Sequence, residues 1–241
     1  IKSIGVDIRT SIRTSSLDEL FENGYNAVFL AIGAHQGAKL GIEGEDLPGV
    51  MEGVSFLREI STGNKVKVGD RVAVIGGGNV AIDAARTALR LGAKEATIIY
   101  RRTLTEMPAS REEIEEALLE GVKTEFLVAP IRIERKNGAL ELTCIRMELG
   151  AVDSSGRRRP VPVKGSEFGS HFDTVIAAIG QVPEASDKFG LSLGSGNTFQ
   201  VDPDTLATAR EGVFAGGDAV TGPAIVIEAI AAGRQAAVSI D

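Results

Sequence analysis

Arg71-Val72-Ala73-Val74-Ile75-Gly76-Gly77-Gly78-Asn79-Val80-Ala81 is the stretch from which the fold is read. Val72 to Ile75 make a short apolar run of the kind that a parallel sheet buries on both faces. Glycines then punctuate the chain, and Ile82 to Leu91 continue as an alanine-rich helix with Ala81, Ala85 and Ala88 on one face. A G-x-G-x-x-G/A pattern, here Gly76, Gly78 and Ala81, is a weak signal alone. Between a strand and a helix it becomes a dinucleotide-binding fingerprint. Gly76 permits the tight turn, Gly78 offers no side chain to obstruct a pyrophosphate, and Ala81 lets the helix lie close to the strand. Free N–H groups and the helix dipole then favour the anion.

The second strand, Ala96-Thr97-Ile98-Ile99-Tyr100, ends about 20 residues after the glycines, where an NAD-binding unit places an acidic residue on the ribose diol. This chain has Arg101 and Arg102 there. Guanidinium groups fork onto a 2′-phosphate that a carboxylate would repel, so NADP(H) is expected rather than NAD(H). The competing reading is that two arginines merely solvate an exposed strand end.

At 241 residues and 43% hydrophobic content, the chain can bury a sizeable core in one large or two small domains. No apolar run is long enough for a membrane span, and Ile1 to Gly5 lack the apolar region of a signal peptide. A net charge of −7 argues against nucleic acid as a partner. The single cysteine, Cys144, excludes an internal disulfide or a cysteine-ligated cluster within these residues; no metal site is read, and a cytoplasmic setting is expected. Cys144 lies in an expected strand and is read as core. His35 and His171 are solitary, so no catalytic acid or base is assigned. Arg157-Arg158-Arg159 is read as a solvated loop, with a docking role as the alternative.

Gly5 to Arg9 are read as a short strand. Ser16 and Glu19 form a capping box, with a helix to Gly24. Tyr25 to Ala34 make a strand closing on Gly33. Residues 37–49 are a connector, and 53–62 a short helix. Ser110 and Glu113 form a second capping box, and the acidic run that follows is read as a solvated helix face. Gly121 stops that helix and 122–128 return as a strand. Residues 131–135 and 140–149, joined at Asn137-Gly138, read as a hairpin.

Phe172 to Pro183 repeat the design of 25–34: an aromatic, a polar or acidic residue, an apolar strand and Ile-Gly. Two such strands bracketing the nucleotide unit suggest an insertion. The expectation is a split domain, 1–48 and 171–241, interrupted by a domain at 49–170. Near the end, Val213 to Ala215 deliver Gly217 and Asp218, and Pro223 opens an almost wholly apolar helix, 224–239, expected to be buried. Asp218 is read either as an acceptor for a polyol such as a ribityl chain or as a turn residue capping that helix.

Together, Val74 to Asp83, Tyr100-Arg101-Arg102 with Met107-Pro108-Ala109, and Val213 to Asp218 resemble the small (beta) subunit of NADPH-dependent glutamate synthase. The resemblance runs through nearly the whole chain, with the motifs in the family's order. It implies an α/β fold in which a Rossmann-like NADP-binding domain is inserted into an FAD-binding domain, matching the bracketed layout. It implies that Gly76, Gly77, Gly78, Asn79 and Val80 face the pyrophosphate and nicotinamide side, and that Arg101 and Arg102 meet the 2′-phosphate. It also implies that Gly180 sits at a strand crossing near the nucleotide, Gly217 and Asp218 at the flavin ribityl, and Ala224 and Ile225 under the flavin ring. Ile225 departs from the family, where a threonine is expected.

The implied chemistry is hydride transfer from NADPH to FAD, then electron relay to iron–sulfur centres and a large glutamate synthase subunit. The alternatives are the reductase subunit of another NADP-linked complex, such as a ferredoxin:NADP transhydrogenase or a pyrimidine dehydrogenase, and an NADP-binding module without turnover. A homo-oligomer is compatible with any of these. The family's cysteine-rich region and first glycine fingerprint are not in this sequence. The chain is therefore expected to be a fragment starting inside the FAD domain, with iron–sulfur clusters only in missing parts or a partner, and without the pyrophosphate cradle that holds FAD tightly.

Overall fold

A computed structural model describes residues 2–153, 156–184 and 189–241. The chain divides into two compact units, Ile1–Ala34 with Val182–Asp241, and His35–Gln181. The divisions fall beside Gly33 and Gly180, the glycines that end the two matching strands.

The first unit holds α1 (Leu17–Glu22), β1 (Val28–Leu30), β13 (Val213–Ala215), α5 (Asp218–Thr221) and α6 (Val226–Ile240). β1 and β13 pair in parallel, and Leu17, Leu30, Phe199, Val213, Ala215 and Ala219 form the core. Ser16 caps α1 as expected, but by accepting from the Asp18 N–H, and Glu19 accepts from the Ser15 hydroxyl at 3.2 Å instead of closing the expected capping box. Residues 5–9 are not a strand. They are exposed and outside regular structure, because their few apolar residues meet no packing surface.

The expectation that the last helix is buried is also corrected. Val226 is 72% exposed, Ile230 58% and Val238 81%, while Ala236 is buried. Composition predicted burial all round, but only a small-residue face is used: Ala229 and Ala232 lie against the Gly216-Gly217 turn, and the larger aliphatic side chains point away.

The second unit centres on a five-stranded, all-parallel sheet of β3 (Val50–Glu52), β4 (Arg71–Ile75), β5 (Glu95–Tyr100), β6 (Lys123–Phe126) and β11 (Thr174–Ala177), in the order β3-β11-β4-β5-β6. One face is covered by α2 (Gly53–Ser61), α3 (Asn79–Arg90) and α4 (Arg111–Leu119), with Val72, Val74, Ile98 and Ile176 packed among Ala81, Ala85 and Ala88. The other face packs on an antiparallel layer of β7 (Val128–Lys136), β8 (Ala139–Val152), β9 (Arg158–Pro162) and β10 (Phe168–Phe172). The β7–β8 turn is Asn137-Gly138, both at positive φ, as a tight hairpin requires. Two short segments, β2 (Gln36–Gly37) and β12 (Gln181–Val182), pair with each other. Cys144 lies in the core between the layers, and burial pushes its thiol up to about 12. Among the described residues no helix is long and apolar enough to cross a membrane.

Arg86 on α3 reaches Glu116 at 2.9 Å and Glu120 at 2.6 Å, and Arg90 reaches Glu120 at 2.7 Å. The Arg86 guanidinium, and after it Arg90, holds the Glu120 carboxyl down at about 2. A depressed carboxyl pKa stabilises the fold above the ordinary value of 4.5, and that contribution drains away as pH falls towards 2. Glu120→Gln is therefore expected to melt below the parent at pH 6 and to converge with it by about pH 2. Thermal melts across that range check this; a gap that does not depend on pH would show that the ion pair is not its source.

Candidate functional site

Helix α3 follows β4 on one side of the sheet and leads to β5, while β11 lies on the other side of β4. Strand order thus reverses between β4 and β11. In an open α/β sheet, ligands bind outside the carboxyl ends of the strands at such a point. The three glycines sit there, and they differ in what the fold asks of them.

Gly76 has φ +146°, and a Cβ on it would stand 2.1 Å from the Ala178 carbonyl oxygen. A Cβ on Gly77 would stand 2.6 Å from the Tyr100 ring. Both positions require glycine for the protein's own packing. Gly78 is different. Its φ is −92° and its ψ 177°, extended backbone open to any residue. The nearest atom to a Cβ there is Pro108 Cγ, 3.9 Å away.

Gly78 is also the residue that precedes α3, and no side chain caps the helix there. The Ala81 N–H is taken by the Gly78 carbonyl at 2.9 Å, and the Asn79 and Val80 N–H groups precede the intrahelical ladder. Free N–H groups at a helix start beside the open space at Gly78 have the make-up of an anion cradle. Asn79 turns its side chain to neighbouring backbone: Oδ1 accepts from the Ser110 N–H at 3.3 Å. Val80 packs by its side chain, with Cγ1 3.1 Å from where a Cβ on Gly53 would be.

At the end of β5, Arg101 is exposed and Arg102 is buried. The Arg102 Nη2 donates to Asp153 Oδ2 at 2.7 Å, and its Nε donates to the Arg158 carbonyl at 2.7 Å. The reading that both arginines merely solvate this strand end therefore fails for Arg102. Nor is Arg157-Arg158-Arg159 simply a solvated loop, since Arg158 Nε also reaches Glu106 Oε1 at 3.2 Å.

Sequence reasoning missed Glu113. Its N–H donates to Ser110 Oγ at 3.2 Å, as the capping box predicts, but one carboxylate oxygen, Oε2, is buried with no hydrogen-bond partner. The Ser110 N–H in turn donates to Asn79 Oδ1, so the start of α4 lies against the start of α3. The Glu113 oxygen suits a hydroxyl or amide donor. Nothing local in the sequence marks it, because Asn79 lies 31 positions before Ser110.

The first unit has a hollow of about 340 Å³. Its lining includes Phe29, Gly33, Gly217, Asp218, Ala224 and Ile225. Gly216 is required by packing, since a Cβ would come 2.8 Å from the Phe29 ring. Gly217 has φ +64°, a conformation that favours glycine. Asp218 Oδ1 accepts from the Ala224 N–H at 3.3 Å, ahead of the helix, so it braces the turn without capping α6, and Oδ2 is left for a hydroxyl. No side chain caps α6, so its N-terminus opens beside Ala224 and Ile225. The structure thus brings together Gly217, Asp218, Ala224 and Ile225 in one hollow of one unit, and Gly76 to Val80 with Arg101 and Arg102 in the other. Gly180, exposed at φ +133°, belongs to the second unit, where its carbonyl accepts from the Ala38 N–H at 2.9 Å.

Three comparisons bear on these sites. The family profile described as pyridine nucleotide-disulphide oxidoreductase matches residues 3–233. The NADP(+)-dependent formate dehydrogenase subunit beta of Moorella thermoacetica is 47% identical, covering 100% of this chain and 35% of its own length. The small chain of NADPH glutamate synthase from Escherichia coli K12 is 38% identical, covering 93% of this chain and 52% of its own. The chain thus spans between a third and about half of these relatives. Among solved structures, FprA of Mycobacterium tuberculosis in complex with NADPH superposes with a TM-score of 0.75 at 23% identity, over 93% of this chain and 65% of that one. At that identity the likeness speaks for the fold.

Proposed function

This chain belongs to the pyridine nucleotide-disulphide oxidoreductase family, and from that premise we propose that it is the NADP(H)- and flavin-handling part of an oxidoreductase subunit. The unit at 35–181 takes NADP(H), and the unit at 1–34 with 182–241 takes the flavin end of FAD. The observation that carries the reading is Gly78: neither backbone conformation nor neighbouring atoms call for glycine there, whereas a pyrophosphate lying on the helix start does.

In this reading Gly76 and Gly77 shape the turn, and Gly78, Asn79 and Val80 receive the pyrophosphate through their backbone. Arg101 and Arg102 receive the 2′-phosphate, and Gly180 lies on the nucleotide's path. Gly217 and Asp218 accept the ribityl chain, with Ala224 and Ile225 beneath the ring. When bound, the flavin supplies the ring that exchanges hydride with the nicotinamide. The chain's residues bind, orient and exclude water. Proton transfer is assigned to none of them: His35 and His171 are exposed, and Cys144 is buried.

Iron–sulfur centres, which would take electrons onward, would lie outside these residues, in other parts of the protein or on a partner subunit. The large subunit of glutamate synthase is one such partner. The higher identity to the formate dehydrogenase subunit, 47% against 38%, favours the second reading, a reductase subunit of another NADP-linked complex.

The test is the absorbance of the purified protein, supplemented with FAD, during an anaerobic NADPH titration. A yellow protein bleached by NADPH is expected. A colourless protein that still binds NADPH would reduce the proposal to a binding module without turnover.

A further inference from the structure

Arg102 is held in a way that a solvent-facing phosphate ligand does not need. Its side chain is 6% exposed, and that of Asp153 is 25%. The guanidinium edge formed by Nε and Nη2 is fully engaged, Nε by the Arg158 carbonyl and Nη2 by the Asp153 carboxylate, each at 2.7 Å. Nη1 is the nitrogen left over.

The anchor is itself braced. Asp153 closes the turn between β8 and β9: its N–H donates to the Arg157 carbonyl at 2.8 Å, its carbonyl accepts from the Gly156 N–H at 3.0 Å, and its Oδ1 accepts from the Arg157 N–H at 3.3 Å. Arg158 continues the chain of contacts through Nε to Glu106 at 3.2 Å. Glu106 accepts from the Thr103 N–H at 3.2 Å and from its hydroxyl. The Thr103 hydroxyl, then Arg158, holds the Glu106 carboxyl below its ordinary range, so it stays ionised. Finally, the Tyr100 hydroxyl donates to the Glu106 carbonyl at 2.8 Å, and the Tyr100 ring is the surface that forbids a side chain at Gly77. An unbroken path thus joins the glycine turn to a hairpin outside the nucleotide-binding sheet.

We infer that Asp153 is a positioning residue for coenzyme choice: it fixes the Nε–Nη2 edge of Arg102 so that Nη1 is presented, beside the exposed Arg101, to a 2′-phosphate. This rests on the proposed NADP(H) site. The physical content is pre-organisation. A free arginine must give up rotamer freedom when it binds, and a pinned one has given it up already. The carboxylate neutralises part of the charge on Arg102, so Asp153 acts through geometry and not by adding attraction.

The test uses the full protein with 2′,5′-ADP and 5′-AMP as probes, since they differ by the phosphate in question. Calorimetric titration of Asp153→Ala is expected to weaken 2′,5′-ADP about tenfold, as for loss of one charge-assisted partner, with 5′-AMP within about twofold. Asp153→Glu keeps the charge and displaces the anchor, so several-fold weakening of 2′,5′-ADP alone is expected from it too. It also decides the matter if Asp153→Ala fails to fold. Unchanged or tighter 2′,5′-ADP binding in a folded variant would overturn the inference, tighter binding identifying Asp153 as an electrostatic brake. The double variant Arg101→Ala with Arg102→Ala separates the two levels. If it keeps parental 2′,5′-ADP affinity, the site itself is misread; if it loses affinity while the Asp153 variants do not, only the positioning role fails.

Discussion

Gly78→Val is expected to lose dinucleotide binding by a factor of about 100 or more while melting within a few degrees of the parent. The asymmetry is what makes the variant informative. At φ −92° and ψ 177° a β-branched residue is comfortable, and the space around the new Cβ is empty to 3.9 Å. The folded chain has little reason to object. A pyrophosphate seated on the first turn of α3 has every reason, because the isopropyl group would stand where its oxygens meet the backbone N–H groups. The neighbouring glycines offer no such test. A side chain at Gly76 would run into the Ala178 carbonyl and one at Gly77 into the Tyr100 ring, so lost binding there would report a damaged turn. Calorimetric titration with NADPH, beside a thermal melt, measures both halves. Parental affinity in a well-folded Gly78→Val protein would remove the central support for the proposed function.

Replacing Arg101 and Arg102 together by Ala is expected to weaken NADPH about 100-fold or more and NADH by less than about threefold, since each hydrogen-bonded charge contributes on the order of 1.5–3 kcal/mol. The coenzymes differ only by the 2′-phosphate, so the ratio of their affinities isolates that group. Stability will fall as well, because removing Arg102 leaves the Asp153 carboxylate, 25% exposed, without its guanidinium. For this reason Arg101→Ala alone belongs in the series: its side chain makes no ion pair among the described residues, and its loss should cost affinity with little change in melting temperature. Equal weakening of NADPH and NADH would refute the assignment of these arginines to the phosphate.

The features read correctly from the sequence are those whose causes are local. The β4 strand, its glycine turn and α3 are set by residues within one window, as are the Ser16 and Ser110 caps and the Asn137-Gly138 turn. What could not be read is what depends on a distant partner. Arg101 and Arg102 are adjacent and alike in sequence. They differ in the fold because Asp153, 51 positions on, and Arg158 arrive from a hairpin to claim only one of them. Glu113 looked like part of a solvated acidic face, yet packing leaves one of its oxygens enclosed. The closing helix failed for another reason. Its composition argued for burial on all sides, but composition states how much apolar surface a helix has, not how much its neighbours cover. Among these residues only the alanine side is covered, and Val226, Ile230 and Val238 are exposed.

The position of Cys144 gives the molecule a built-in recorder. The sulfur is 1% exposed between the parallel sheet and the antiparallel layer, and with a pKa of about 12 it stays protonated at neutral pH. Because the thiolate is the reactive form, alkylating reagents and peroxides find nothing to attack while the layers stay shut. This sequence has no other cysteine, so with a reagent fast enough to outpace reclosing, the rate at which its one sulfhydryl is consumed counts how often those two layers part.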